Sequence, residues 1–428
     1  AARRAVALDA QLADGWNALG LIEQDAGAFD AARANFKRAL GIAPDHAASH
    51  LSMANLDQAE GRIDAALEGY TRAQALDPTL AQAPYSRGHL FHKATGALEA
   101  AIASYREAIA IRDDYAVAHH NLAHALFLAG RFADAWREYR WRPPRLQFES
   151  RTGVRAYEPP TRLPPKGSRL RIIGEQGLGD ILFFLRFAPR LREQGVVLEF
   201  YGDPRLQGML SRTGLFDHVG SSHDDVRDDG LPEVLAADLP ALLPESERAN
   251  TPAPLSLAPD PSRAGAMRSR LEKLGPSPRI GLAWRAGTPK TGADESLLKE
   301  LPLEKFAAVL KGVRATWISV QREPRAGETD ALASLLGAPV HDLSAVNEDL
   351  EDSLALMAAL DRYVGVSSTS IHLRASTQGS GHVLVPFPYE WRWMASGDSP
   401  WFPQMRVHRQ AVGGSWDEAF ARLAAEIA

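Results

Sequence analysis

Small and apolar residues recur through the first third of the chain with a period close to 34. Gly27, Gly61, Gly96 and Gly130 are spaced by 34, 35 and 34 residues. Ala32, Ala66, Ala101 and Ala135 follow them by five, and Phe36, Tyr70, Tyr105 and Tyr139 by nine. Ala39, Ala73 and Ala108 come three later again. Pro44 and Pro78 end two of the units, and Asp113 stands where a third proline is expected. A fixed period of this length marks a stacked repeat. Each unit reads as two amphipathic helices. The glycine turns the chain, the alanines let the helices approach, the aromatic ring fills the seam and the proline stops the pair. Ala5 lies one period before Ala39, so the chain is expected to open inside a second helix, as a truncated piece of a longer protein. Such a solenoid buries its core between neighbouring units and leaves a concave groove. Binding of a peptide or protein there stands against a dimerising or spacer role.

The pattern changes after Trp141. Pro143-Pro144, Pro159-Pro160 and Pro164-Pro165 punctuate a stretch without helical or strand periodicity, expected to be a stiff linker over 143–168. Beyond it, short apolar runs alternate with helical patterns. Residues 170–173, 196–200, 279–284, 317–321, 363–366 and 383–386 read as strands, and 181–191 reads as an apolar helix. The fold class expected is therefore α + α/β. A helical array over 1–142 leads into an α/β domain of two lobes, 169–272 and 273–428.

Composition excludes several functions. The 428 residues are 45% hydrophobic and 24% charged, with net charge −5 and a pI near 6.3. No basic excess suggests a nucleic-acid footprint. The absence of cysteine rules out disulfides, thiolate zinc sites and cysteine nucleophiles. No apolar run reaches the roughly 18 residues of a membrane span, and no signal peptide is visible, so a cytoplasmic setting is expected. His120 and His124 have the i, i+4 spacing of metal ligands beside His119, but no third ligand is evident, and surface or packed histidines are the simpler reading.

Four segments carry candidate chemistry. Gly177, Gly179 and Asp180 lie in a glycine loop between a strand and a helix. Asp180 is either a helix N-terminal cap or a general base facing the crevice at the strand's carboxyl end. Arg285 and Lys290 follow the strand ending at Trp284; they read as partners for diphosphate charge or as solvated surface cations. Ser367, Ser368, Thr369 and Ser370 precede an apolar helix start bearing His372, as an anion site or as simple capping. Glu390 and Trp391 sit in a loop rich in tryptophan and arginine, suited to a sugar or base pocket or to packing between lobes.

Trp16, Leu19, Gly20, Ala32, Phe36, Ala39 and Pro44 match the tetratricopeptide (TPR) consensus, which the array resembles. The run GEQGLGDILFFLRFAPRL looks like the opening of the heptosyltransferase-like glycosyltransferases of GT-B fold, and more so like bacterial TPR proteins carrying such a domain. In that family the aspartate of the GD motif, matched by Asp180, is the proposed base. The resemblance also covers Asp238-Leu239-Pro240, a strand running into Trp284, an S-x-Q ending at Gln321, and Ser368 and His372 within a D-T-x-x-x-H run. Ser367 stands where that run has Asp. The segment WRW…DSPWFP…RVHRQ looks like the family's C-terminal signature.

The resemblance implies donor-lobe contacts at Trp284, Arg285, Lys290, Gln321, Ser367, Ser368, Thr369, Ser370, His372, Glu390 and Trp391. It implies a nucleotide sugar as co-substrate without other cofactor, and, as no D-x-D triplet occurs, no metal. The architecture is similar to that of O-GlcNAc transferases and of flagellin glycosyltransferases with TPRs. It implies a protein acceptor, such as a flagellin, held in the groove. A non-catalytic scaffold and a transferase for glycan or lipid are the alternatives.

Overall fold

The computed structural model describes residues 2–152, 165–221, 231–287 and 298–427. Its contacts divide the chain into two compact units, Ala1–Ala129 with Arg137–Arg142, and Gly130–Trp136 with Pro143–Ala428.

The first unit is built of helix pairs: Ala13–Asp25 with Phe29–Ile42, Ala47–Ala59 with Ile63–Leu76, and Gln82–Leu90 with Leu98–Ile111. Ala116–Leu128 then leads to Phe132–Tyr139. Gly27, Gly61, Gly96 and Gly130 all turn with positive φ, between 68 and 76°. That left-handed backbone costs least in glycine, which explains the residue type at each repeat turn. The core lies between neighbours: Leu56 of the second pair packs on Ala32 and Phe36 of the first, and Leu90 of the third on Ala66 and Tyr70 of the second. The single 35-residue interval coincides with a π-helical turn, Phe91–Thr95, that ends at Gly96. The wider turn takes up the extra residue and keeps the third glycine in register.

The prolines at 143 begin a helix, Pro143–Thr152, where the sequence suggests an irregular linker. Proline is accepted in a first helical turn, where its missing N–H has no intrahelical partner to lose. Phe148 from this helix packs with Ile173, Tyr201 and Leu235. Pro159-Pro160 lies outside the described residues.

Among the described residues the second unit holds two parallel sheets. In the first, β1 (Arg169–Ile173) pairs with β2 (Val197–Tyr201) and β4 (Glu233–Leu235), and β3 (His218–Gly220) flanks β2, giving the order β3-β2-β1-β4. A two-stranded antiparallel ribbon, β6 (Arg285–Ala286) with β7 (Lys299–Glu300), stands apart. The second parallel sheet contains β5 (Arg279–Ala283), β8 (Thr316–Ser319), β9 (Val340–Asp342), β10 (Arg362–Val366), β11 (Gly381–Val385) and β12 (Met405–Arg409), in the order β12-β11-β10-β5-β8-β9. Its strands read as near-continuous apolar runs because helices cover the sheet. The helix Pro261–Leu274 packs on Leu350–Ala359 of the second lobe, and Leu257 N donates to Ser376 O at 3.0 Å. Residues from about 257 thus contact helices of the second lobe, ahead of the boundary at 272 that the sequence suggests.

Candidate functional site

A parallel sheet opens a crevice at the carboxyl ends of its strands where the strand order reverses. In the first sheet the reversal falls between β1 and β4. Glu175, in the loop after β1, accepts from Ala237 N beyond β4 at 3.2 Å and so braces the two sides of that opening. In the second sheet the reversal falls between β5 and β10. The segments leaving those strands carry Trp284-Arg285 and Ser367–Ser370.

Asp180 is the third residue of the helix Leu178–Phe184. Its Oδ2 accepts from Gly177 N at 3.2 Å, a capping contact. Its Oδ1 accepts from Arg392 Nη2, of the second lobe. Arg392 Nη1 also donates to Glu390 Oε1 at 3.1 Å. Glu390 Oε2 accepts from Lys299 Nζ at 2.7 Å and from Ser367 Oγ at 2.9 Å. Burial would push the Glu390 carboxyl up, but Lys299 and Arg392 outweigh it and hold the group well below the usual carboxylate range. A continuous network of charged and polar groups therefore runs from the first lobe to the second: Asp180, Arg392, Glu390, then Lys299 and Ser367.

Gly179 lies against the His372 ring; a Cβ there would sit 2.9 Å from Cδ2. His372 is 6% exposed. Burial, with Arg392 beside it, lowers its pKa to about 3, so the imidazole is neutral at physiological pH. Ser368 is the N-terminal cap residue of the helix Thr369–Ser376, with φ −155°. Thr369 and Ser370 begin that helix, half-buried. The first N–H groups of a helix have no intrahelical acceptor, so this start can receive an anion. A cavity of about 390 Å³ lies between the loops that follow β1, β2 and β3, with Gly174, Gln176, Gly177, Leu178, Gly202 and Arg205 in its wall.

Other residues singled out in the sequence are committed to the chain itself. Gln321, 1% exposed, accepts from the backbone N–H of Trp284 at 3.0 Å and of Arg285 at 2.8 Å, and donates to the carbonyls of Arg285 and Arg322. It braces the backbone that follows β5. Trp284 is buried in the second lobe's core. Arg285 forms a two-pronged ion pair with Glu328, at 2.6 and 3.0 Å. Trp391 is buried with its ring perpendicular to those of Phe183 and Trp401, at 5.1 and 6.2 Å between ring centres, and the Arg392 guanidinium lies 4.4 Å from its ring centre. Lys290 lies outside the described residues. In the first unit, His119 bonds to Glu138 and to Asp113 O and stacks on Trp141 at 4.6 Å.

Two members of the network, Lys299 and Arg392, do not stand out in the sequence as site residues. Arg392 sits inside the WRW run, whose aromatic residues draw attention first. Lys299 follows a stretch without periodicity, and only its pairing in the ribbon with Ala286 carries it to Glu390.

Comparison with known proteins settles the first unit. The tetratricopeptide repeat pattern matches residues 13–46 and the TPR repeat pattern residues 92–130. The chain carries TPR repeats. Over 423 residues it is 26% identical to Protein FlbA of Caulobacter vibrioides, covering 91% of this chain and 68% of FlbA. Among solved structures, the crystal structure of MamA aligns with 36% of this chain and 87% of its own at 20% identity, with a TM-score of 0.31. A glycosyl transferase family 9 structure from Veillonella parvula DSM 2008 aligns with 58% of this chain and 88% of its own at 12% identity, with a TM-score of 0.42.

Proposed function

We propose that the second unit is a cytoplasmic glycosyltransferase of GT-B type, which moves a sugar from a nucleotide sugar to a hydroxyl of a protein held by the TPR groove. The observation that carries this reading is the network at the meeting of two crevices. A carboxylate at the carboxyl end of β1 faces, through Arg392, the cationic and hydroxyl-bearing groups that follow β10. In the proposed step the acceptor hydroxyl passes its proton to Asp180 as its oxygen bonds to the sugar's anomeric carbon. The bond from that carbon to the donor phosphate breaks in line, with inversion, and the phosphate charge is received by Ser368, Thr369, Ser370 and the helix start behind them. Neutral His372 donates or accepts one hydrogen bond without adding charge. Lys299 and Arg392, matched by Glu390 and Asp180, hold those carboxylates in place, and the reading requires no metal.

One observation favours a second reading, a non-catalytic scaffold with a transferase-like unit. The charge of Arg285, an expected partner for phosphate, is already matched by Glu328.

The test is donor turnover. Release of nucleotide from a panel of nucleotide sugars is measured for the purified chain and for Asp180→Asn. The transferase reading expects turnover with one nucleotide class, reduced at least 100-fold in the variant, a loss typical for a general base, with donor affinity retained. Equal turnover in both proteins would remove Asp180 from the chemistry, and no turnover in either would favour the scaffold.

A further inference from the structure

His382 and His408 lie on the adjacent strands β11 and β12. The register pairs Leu384 with His408, so His382, two residues from Leu384, is a diagonal neighbour of His408 on the same face of the sheet. The last helix, Asp417–Ile427, packs on β12 and brings Glu426 over that face. His382 Nδ1 is 3.0 Å from His408 Nε2, and Glu426 Oε2 is 3.9 and 3.8 Å from those two atoms. The rings are within hydrogen-bond reach of each other, but the carboxylate is beyond reach of both. These separations form a triangle whose circumcentre lies about 2.1 Å from every corner, which is the length of a zinc–imidazole or zinc–carboxylate bond.

We infer that His382, His408 and Glu426 form a divalent metal site, best suited to Zn²⁺, that ties the C-terminal helix to the edge of the second sheet. Two imidazoles and one carboxylate are a borderline donor set that favours Zn²⁺ over the oxygen-seeking Mg²⁺ and Ca²⁺. Arg422 Nη2 stands 3.7 Å from the other carboxylate oxygen, Glu426 Oε1, and so helps orient Oε2 toward the histidines. Arg406, which also borders the site, is engaged by Asp398 at 2.7 Å. A cavity of about 490 Å³, lined by His382, Arg406 and Glu426, gives a path for the ion and room for water as a fourth ligand.

The experiment uses the full chain without a histidine tag, stripped with chelator and dialysed against Zn²⁺ alone, then against Co²⁺. The site predicts one bound equivalent per chain and the intense visible absorption of four-coordinate Co²⁺. Glu426→Gln lowers the affinity at least tenfold, and His382→Gln abolishes the Co²⁺ bands. His120→Gln, which alters the histidine pair in the array, leaves both readouts unchanged. Circular dichroism establishes that each variant folds; should His382→Gln fail to fold, Glu426→Gln, on the more exposed ligand, carries the test. Absence of a bound equivalent in the wild-type chain, or Zn²⁺ affinity unchanged in Glu426→Gln, overturns the assignment.

Discussion

Arg392 joins the two lobes by donating to Asp180 with one nitrogen and to Glu390 with another. Its side chain is 7% exposed, and its guanidinium also lies 4.7 Å from the centre of the Phe183 ring. Removing one partner of a buried ion pair leaves an uncompensated charge, which costs about 3 kcal/mol or more. Arg392→Met is therefore expected to lower the stability of the second unit by about that amount in urea unfolding. Arg392→Lys recovers only part of it, because one ammonium cannot reproduce the planar fork.

Gly179 supplies a second test of the lobe contact. Inside a helix, alanine is favoured over glycine by about 1 kcal/mol. Here the added Cβ meets the His372 ring at 2.9 Å, and overpacking costs about 1–3 kcal/mol. The steric effect wins, so Gly179→Ala should destabilise. In a His372→Ala background the clash is gone and the same change should become neutral or stabilising. The double-mutant cycle measures the difference; additive effects would show that the two residues do not touch.

The repeat array was legible because each unit repeats the same physical requirement: a left-handed turn at Gly27 and its equivalents, small residues at Ala32 and an aromatic ring at Phe36. The alternation of strands and helices was legible for a similar reason, since runs such as Ile280–Leu282 have no polar face. The site was legible only in part. Asp180, Ser367 and His372 lie beside the turns that leave strands, where local pattern points. Lys299 and Arg392 reach the site through long-range contacts that no local pattern encodes. Gln321 was legible as important, but local sequence cannot tell a side chain that binds its own backbone from one that waits for a ligand. The helix at Pro143 was missed because paired prolines signal a break in periodicity and also suit a helix start.

Gln321→Ala should act on stability. It leaves the buried N–H groups of Trp284 and Arg285 without their acceptor, a loss of about 1–3 kcal/mol. Chemical denaturation of the variant checks this. Unchanged stability together with a large loss of nucleotide affinity would instead make Gln321 a ligand contact.

Acid should weaken the second unit through His372 and Glu390 together. The folded pKa of His372, about 3, lies below the unfolded value near 6.5. Between those values the unfolded chain binds a proton that the folded chain does not, so stability falls as pH falls from about 6.5 toward 3. Glu390, depressed by Lys299 and Arg392 against its burial, contributes stability that is full above the unfolded pKa near 4.3 and is lost as pH falls below it. One fully titrating site contributes up to about 1.4 kcal/mol per pH unit. His372→Gln should flatten the dependence of unfolding free energy on pH between 6 and 5 by an amount approaching that figure. An unchanged slope would mean that His372 is solvated.

The central claim is that the helix start after β10 holds the phosphates of a nucleotide sugar. It is tested most directly by titrating the purified chain with nucleoside mono- and diphosphates and following the unfolding midpoint, beside the variant Ser370→Asp. An acidic residue in a first helical turn favours the helix itself but repels a bound phosphate. The account predicts that one nucleotide class raises the midpoint, as any ligand of the folded state must, and that the shift is lost in a variant that folds normally. A wild-type midpoint unmoved by every nucleotide at millimolar concentration, or a shift that Ser370→Asp leaves intact, would contradict it.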